Sequence, residues 1–396
     1  LMDWDNKKVL AKGIVERVTI GNSFIKHEAT GKEEITINHD CPHHTDAIQL
    51  ILNTLTDPKI GVIKDMSSIK AVGHRTVHAG EKFAQSVLID EKVIKALEEC
   101  SHLAPLHNPP NLAGIKAAMA ALPGIPNVAV FDTAFHQTMP KHAYIYPIPY
   151  EYYEEMAMRR YGFHGTSHLY VSKRAAIMLG KKPNEVNVIT LHIGNGVSHC
   201  AVQKGISVDT SMGLTPLEGA VMGTRCGDID PYIPIFLMKN KNLTADQVDT
   251  ILNKKSGVLG ITKKFTDRRD IQKAAESGDE LCKLAEDIEA YRIKKYIGAY
   301  AAAMGGVDAV VFTAGVGENS SRIREKALEG LEFLGIKLDK EANKIRGKEN
   351  EITTKDSRVK VFVIPTNEEL VIIEDTVAIL EGKYKKHTEY LYSFQK

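Results

Sequence analysis

Residues 220–231 run Ala-Val-Met-Gly-Thr-Arg-Cys-Gly-Asp-Ile-Asp-Pro, which sets Arg225 between Gly223 and Gly227 with Asp228 and Asp230 just behind it. Glycine lets a backbone come close to a bulky ligand. Arginine offers a rigid fork of donors suited to phosphate or carboxylate oxygens. The aspartates can orient that arginine or approach a metal. This combination exceeds what a turn needs and points to chemistry on an anion.

Other segments repeat the theme, each with a plainer alternative. Arg75, in the glycine-bounded run 73–81 after a strand, either faces an anion at a strand end or is an ordinary surface arginine. His164 stands just before a helix that Thr166 or Ser167 could cap, where it either donates to a phosphoryl group or simply packs. The Gly194-Asn195-Gly196 turn can cradle phosphates with its N–H groups, but Asn-Gly is also a common hairpin signal. Residues 311–320 join a strand to a helix through Gly315 and Gly317, without the P-loop lysine or the full dinucleotide fingerprint. Asp267 and Arg269 either hold a base or ribose or open a charged helix. Asp132 closes a strand as a ligand or a turn cap. Glu368 either binds magnesium or complements a helix dipole. Together these arginines, carboxylates, glycine turns and one histidine suit magnesium-dependent phosphoryl transfer, which needs positioning and charge neutralisation more than covalent chemistry.

The elements that must position these groups alternate. Strands are predicted over 9–18, 23–27, 34–38, 69–73, 127–131, 186–193, 197–203, 308–313 and 360–364. Helices are predicted over 44–55, 90–100, 111–121, 166–179, 242–253, 273–304 (long enough for two), 321–334 and 367–381. A Gly-rich turn is expected between 313 and 321. The pattern is α/β, with mixed sheets covered by helices. The tail 383–396 reads as surface or frayed.

The 396 residues can build two domains, and the net charge of +1 gives no reason to expect nucleic acid or a membrane as partner. No apolar run reaches the length of a membrane span. The five scattered cysteines lack metal-ligand spacing and fit reduced thiols in a cytoplasmic protein. The chain opens at Leu1, close to a predicted strand, so a segment upstream is expected.

The motifs GHRTVHAGE (73–81), FDTAFHQTMP (131–140), YGFHGTSH (161–168), HIGNG (192–196), TPLEGAVMGTRCGDIDP (215–231), FTAGVGENS (312–320) and PTNEEL (365–370) resemble, in order, those of the acetokinase family. The resemblance runs through nearly the whole chain. It implies a two-domain actin-like (ribonuclease H-like) ATPase fold with mixed sheets flanked by helices and an inter-domain cleft. The lobes implied are 1–135 plus 370–396, and 136–369 for nucleotide binding and dimerisation. It implies transfer of the ATP γ-phosphoryl group to acetate, with Mg2+ as cofactor and a cytoplasmic homodimer as the assembly. Arg75, Asp132, His164 and Arg225 would be catalytic. Val77, Leu106, Phe163 and Pro216 would form, with Arg75, the acetate site. His192, Asn195 and Gly196 would meet the phosphates. Asp267, Arg269, Gly315, Val316, Gly317, Glu318 and Asn319 would surround adenosine, and Glu368 would bind the metal. Family members begin with a strand and an Asn/Ser-bearing phosphate loop, and Leu1 onward is similar to the segment after that loop. Ala79 stands for a usual glycine, Cys226 for a usual serine, and Arg268 for a usual apolar residue. A propionate or butyrate kinase, or a non-catalytic nucleotide-binding module on the same fold, are the alternatives.

Overall fold

The computed structural model describes residues 1–102 and 107–396, with the side chain of His102 outside the description. The chain divides into two compact units, Leu1–Phe131 with Glu369–Lys385, and Asp132–Glu368 with Lys386–Lys396.

In the first unit, the antiparallel strands Ala11–Glu16, Phe24–Ala29 and Ile35–Asn38 form a three-stranded sheet. Helix His44–Thr56 covers it, burying Ala47 and Leu50 against Ile25 and Cys41. A second sheet orders Val72–Thr76, Asn127–Phe131 and Val87–Leu88, the first two parallel. The predicted strand 69–73 thus lies a few residues further on. Helix Glu368–Leu380 packs on it so closely that a Cβ at Gly73 would press on Ile372 and Thr376.

The second unit is built on a six-stranded sheet ordered Ile206–Thr210, Val197–Gln203, Asn187–Ile193, Ala309–Thr313, Lys360–Val363 and Asn350–Glu351. Asn187–Ile193, Ala309–Thr313 and Lys360–Val363 run parallel, and their runs of Val, Ile and Phe are buried on both faces. Val197 pairs with Ile193, so Gly194-Asn195-Gly196 is a three-residue hairpin turn. Two antiparallel pairings in succession make Ile206–Thr210 parallel to Asn187–Ile193 as well. Four strands therefore deliver their carboxyl ends to one edge of the sheet. The segments that leave there are 194–196, 211–231, 314–320 and 364–368.

Several expectations are corrected. Residues 314–320 are not an open turn: Ala314–Asn319 is a short helix, entered through Ala314 at φ 64°. Helix Tyr232–Lys241 and strand Ile206–Thr210 were not predicted. The 273–304 run is the end of helix Arg268–Glu276 plus helix Glu280–Ala303. The tail is not frayed at the surface. Tyr392 is fully buried and stacked on Phe394, whose carbonyl accepts from Arg174 Nη1 at 2.8 Å. These contacts place Lys386–Lys396 in the second unit, where the sequence reading put 370–396 with the first lobe.

Candidate active site

Helix Gly165–Met178 begins at His164, whose φ of 56° puts it in the left-handed region. Neither Thr166 nor Ser167 caps it, because both hydroxyls are engaged elsewhere. Thr166 Oγ1 donates to Glu368 Oε2 at 2.8 Å, and Ser167 Oγ lies 2.8 Å from His192 Nδ1. The Gly165 N–H donates to the carbonyl of the buried Asp132 at 2.9 Å, an approach that a side chain at Gly165 would block. Asp132, His164 and Glu368 are thus gathered around one helix N-terminus, where the macrodipole favours negative charge.

The His164 ring stacks on His192, centroids 4.1 Å apart and planes 16° apart. Beside it lies the hairpin turn. A Cβ built on Gly196 would sit 3.5 Å from His164 Cε1 and 3.6 Å from both terminal nitrogens of Arg225. Gly196 therefore marks the point where the histidine and the arginine converge. Arg225 Nη1 donates to the Pro216 carbonyl at 2.8 Å, so Pro216 is brought to the same place. Arg225 faces no carboxylate within ion-pairing distance among the described residues, and burial alone pushes its guanidinium below the usual arginine range. A desolvated cation with only a carbonyl and a thioether to bond is poised for an anionic ligand.

The loop carrying Pro216 and Arg225 is braced from behind. Glu218 accepts from Arg160 Nη2 at 2.6 Å and from the Tyr146 hydroxyl. Asp228 accepts from the Gly219 N–H at 2.9 Å and from the Tyr296 hydroxyl at 2.6 Å. Val221 sits in an apolar cluster with Val258, Ile271 and Cys282.

Next to this centre is a cavity of about 630 Å3, lined by Gly194, Asn195, Asp267, Arg269, Gly315, Val316 and Asn319, all of them named from the sequence. Gly317 and Glu318 do not line it. Helical periodicity turns Gly317 onto the Leu191 carbonyl, and Glu318 Oε1 accepts from the N–H groups of Ala314 and Thr366. Burial raises the Glu318 carboxyl above its ordinary range. The fully buried Arg324 holds this wall by donating to the carbonyls of Gly317, Asn343 and Ile345.

Thr266, Arg268, Gln272, Ser320 and Arg346 complete the lining. Arg268 points to Glu289 instead of solvent, in a buried pair at 2.8 Å. Asp267 caps helix Arg268–Glu276, and its carboxyl is held down to about 2 by the hydrogen bonds from Arg269. Arg346 arrives from a loop far along the chain and donates to the Asn319 carbonyl at 3.0 Å, which no local pattern marks.

In the first unit, Arg75 lies one residue from the carboxyl end of strand Val72–Thr76 and is exposed, while Val77 is buried. Phe163 is buried beside His164, and its carbonyl lies 3.0 Å from His136 Nε2. Leu106 falls outside the described residues.

The Glu368 carboxylate and the Thr166 hydroxyl that donates to it are hard oxygen groups of the kind magnesium takes one or two of, leaving its other positions to phosphate and water, and Asp132 meets the same helix start through its backbone carbonyl. The set fits a metal that arrives on a nucleotide better than a closed protein cage. No cluster of three metal-ligating side chains occurs among the described residues.

Parallel strands opening onto a glycine-rich cavity, with a desolvated arginine and a histidine at its side, define a nucleotide-dependent phosphotransferase of the actin-like fold. The acetokinase family model matches residues 1–374, and the chain belongs to that family. It is 66% identical to the acetate kinase of Geobacter sulfurreducens, over all of this chain and 94% of that one. It is 62% identical to that of Thermotoga maritima, over 96% of this chain and 95% of that one. The crystal structure of Porphyromonas gingivalis acetate kinase superposes with a TM-score of 0.92 at 50% identity, covering 96% of this chain and 95% of that one. A propionate kinase from Francisella tularensis gives a TM-score of 0.87 at 40% identity, covering 94% of each chain.

Proposed function

We infer that this chain catalyses reversible, direct in-line transfer of the ATP γ-phosphoryl group to acetate, giving acetyl phosphate and ADP. The carrying observation is the meeting of His164 and Arg225 over Gly196, beside the cavity of the second unit. Acetate already carries its nucleophilic oxygen, so no general base is required. The obstacle is electrostatic: two unit charges ~4 Å apart repel by ~4 kcal/mol at an effective dielectric of ~20. Arg225 offsets this without first breaking an ion pair. His164 donates to the transferring group, and Arg75 serves as a second anion holder.

The turn 194–196 and His192 meet the phosphates, while Asp267, Arg269 and the 315–319 wall take adenosine. Phe163 and Pro216, with Val77 and Leu106, take the methyl group. Glu368, supported by Thr166 and Asp132, would hold Mg2+. When bound, the ion neutralises charge on the β- and γ-phosphates.

Trapping acetyl phosphate with hydroxylamine tests the activity. Acetyl hydroxamate formed in step with ADP release supports it, and ATP-independent or absent product contradicts it, leaving the non-catalytic module. EDTA should abolish turnover and added magnesium restore it. The propionate kinase relative keeps a longer acid as the second reading. One methylene is worth only about 1–3 kcal/mol, so relative kcat/KM for acetate, propionate and butyrate decides between them.

The partner in this reading is a second copy of the chain. Helix Tyr232–Lys241 buries none of its residues and exposes Tyr232, Ile233, Ile235, Phe236 and Met238, a face suited to a dimer interface. Sedimentation of Phe236→Asp as a monomer, against a wild-type dimer, tests it. No helix among the described residues is long and apolar enough to cross a membrane. All five cysteines are free, and reduced thiols suit a cytoplasmic location.

A further inference from the structure

Behind the His164 ring runs a line of hydrogen-bonding side chains that the transfer reaction, as derived above, does not use. His164 Nδ1 lies 2.8 Å from Ser198 Oγ. Ser198 Oγ lies 2.7 Å from His168 Nε2, and His168 Nδ1 lies 2.7 Å from Thr190 Oγ1. Ser198, His168 and Thr190 are all fully buried. Three elements build the line: His168 sits one turn beyond His164 on the same helix, Thr190 is in strand Asn187–Ile193, and Ser198 is in strand Val197–Gln203.

Counting hydrogens restricts what the line can do. A serine hydroxyl between two imidazoles has one hydrogen, so Ser198 donates to one ring and accepts from the other. His168 is fully buried between two hydroxyls and pairs with no carboxylate among the described residues, and an imidazole so placed stays neutral, so one of its nitrogens donates and the other accepts. Two arrangements satisfy these conditions. In one, Thr190 donates to His168 Nδ1, His168 Nε2 donates to Ser198, and Ser198 donates to His164 Nδ1. In the other every bond is reversed. The reversed order leaves the Thr190 hydroxyl hydrogen without an acceptor, because His168 Nδ1 is the sole partner of Thr190 Oγ1 among the described residues. A buried donor is seldom left in that condition. The first order gives the Thr190 hydroxyl, the His168 N–H and the Ser198 hydroxyl each an acceptor, and fixes neutral His164 with its hydrogen on Nε2.

We propose that Ser198, His168 and Thr190 are positioning residues for phosphoryl transfer, which lock His164 in the tautomer whose Nε2 carries the hydrogen donated to the transferring group. This rests on the role given to His164 above. Nothing in the line touches substrate except through that ring. Without it, neutral His164 can take either tautomer, and one of them offers a lone pair to an anion in place of a donor. Its stacking on His192, itself held through Ser167, fixes the ring plane but not the position of the hydrogen.

The test is a double-mutant cycle on the full-length enzyme. Ser198→Ala should lower kcat by about tenfold to a hundredfold while KM for ATP and acetate stays within about twofold, as expected for lost orientation in the transition state alone. Thr190→Val should lower kcat by a smaller factor, because it removes only the bond that sets the order. In a His164→Ala background, Ser198→Ala should change nothing further. Ser198→Ala with full kcat, while His164→Ala is impaired, overturns the proposal alone. So does an equal loss from Ser198→Ala with and without His164, which would mark a purely structural effect. His164→Ala with full kcat overturns both this proposal and the role of His164. A reading independent of variant folding comes from 15N-histidine NMR of the wild type. The Nε2–H tautomer of His164 supports the proposal, and the Nδ1–H tautomer contradicts it.

Discussion

The first unit holds a cavity of about 750 Å3 and the second one of about 630 Å3, yet their linings have little in common. The larger is walled mostly by aliphatic side chains, among them Ile48, Leu52, Leu55, Ile69, Leu122 and Ile372. The smaller is walled by glycine backbone, Asn195, three arginines and Asp267. Volume alone would choose the first. Chemistry chooses the second, because an anionic nucleotide needs N–H groups and guanidinium forks, and because His164 and Arg225 stand next to that wall. The difference shows in the backbone too. His164 and Ala314 hold positive φ beside the smaller cavity, a strain of order 1–3 kcal/mol each that tends to persist at functional sites.

Substitutions that separate the two regions test this contrast. The largest effect belongs to Arg225→Ala, with kcat expected to fall by roughly 10³-fold or more (about 4 kcal/mol) in a hydroxamate assay. Melting should barely change, because among the described residues Arg225 bonds only the Pro216 carbonyl and the Met222 sulfur. Leu52→Ala, in the aliphatic cavity, should do the reverse. A loss of about 2–5 kcal/mol in urea unfolding is expected, with kcat and KM for ATP kept in the folded enzyme. A large rise in KM for ATP from Leu52→Ala would erase the distinction.

Acid sharpens it further. His136, His199 and His387 are buried in the second unit, and desolvation pushes their imidazoles to about 4, about 3 and about 3, from an ordinary 6.5. The unfolded chain then binds more protons than the folded one below pH ~6.5, so stability falls as pH falls. Each histidine should remove about 1 kcal/mol between pH 6.5 and 5.5, or about 3 kcal/mol in all. Hydrogen exchange at the two pH values, corrected for intrinsic rates, should show the second unit loosening with acid. Unchanged protection there would contradict it.

The smallest effect is expected from Gly223→Ala. Its Cβ would run into Asn195 Oδ1 and shift a residue of the nucleotide wall. KM for ATP should rise by about tenfold, near 1.4 kcal/mol, with KM for acetate unchanged.

Much of the candidate site is legible because its segments are local signals at strand ends. The glycine turns at 194–196 and 315–317, Arg225 between glycines, and Glu368 at a helix start each carry their chemistry within a few residues. What was hidden depends on distant pairing. Arg346 reaches the cavity from a loop nearly thirty residues beyond Asn319, and Arg268 is fixed by Glu289, a buried glutamate on the next helix. Thr166 and Ser167 looked like caps because hydroxyls at helix starts often are, but Glu368 and His192 claim them first. The tail 383–396 reads as surface or frayed because it is polar and aromatic. Burial of Tyr392 and Phe394 against Tyr170 and Lys173 is decided by tertiary packing.

The most direct measurement is hydrogen exchange of the wild-type chain with and without magnesium-ADP. Protection is predicted in segments 194–196, 266–272, 314–320 and around 346, with the aliphatic cavity around Leu52 and Ile69 unchanged at its lining. Protection centred on that aliphatic cavity, with none at the glycine turns, would contradict the account.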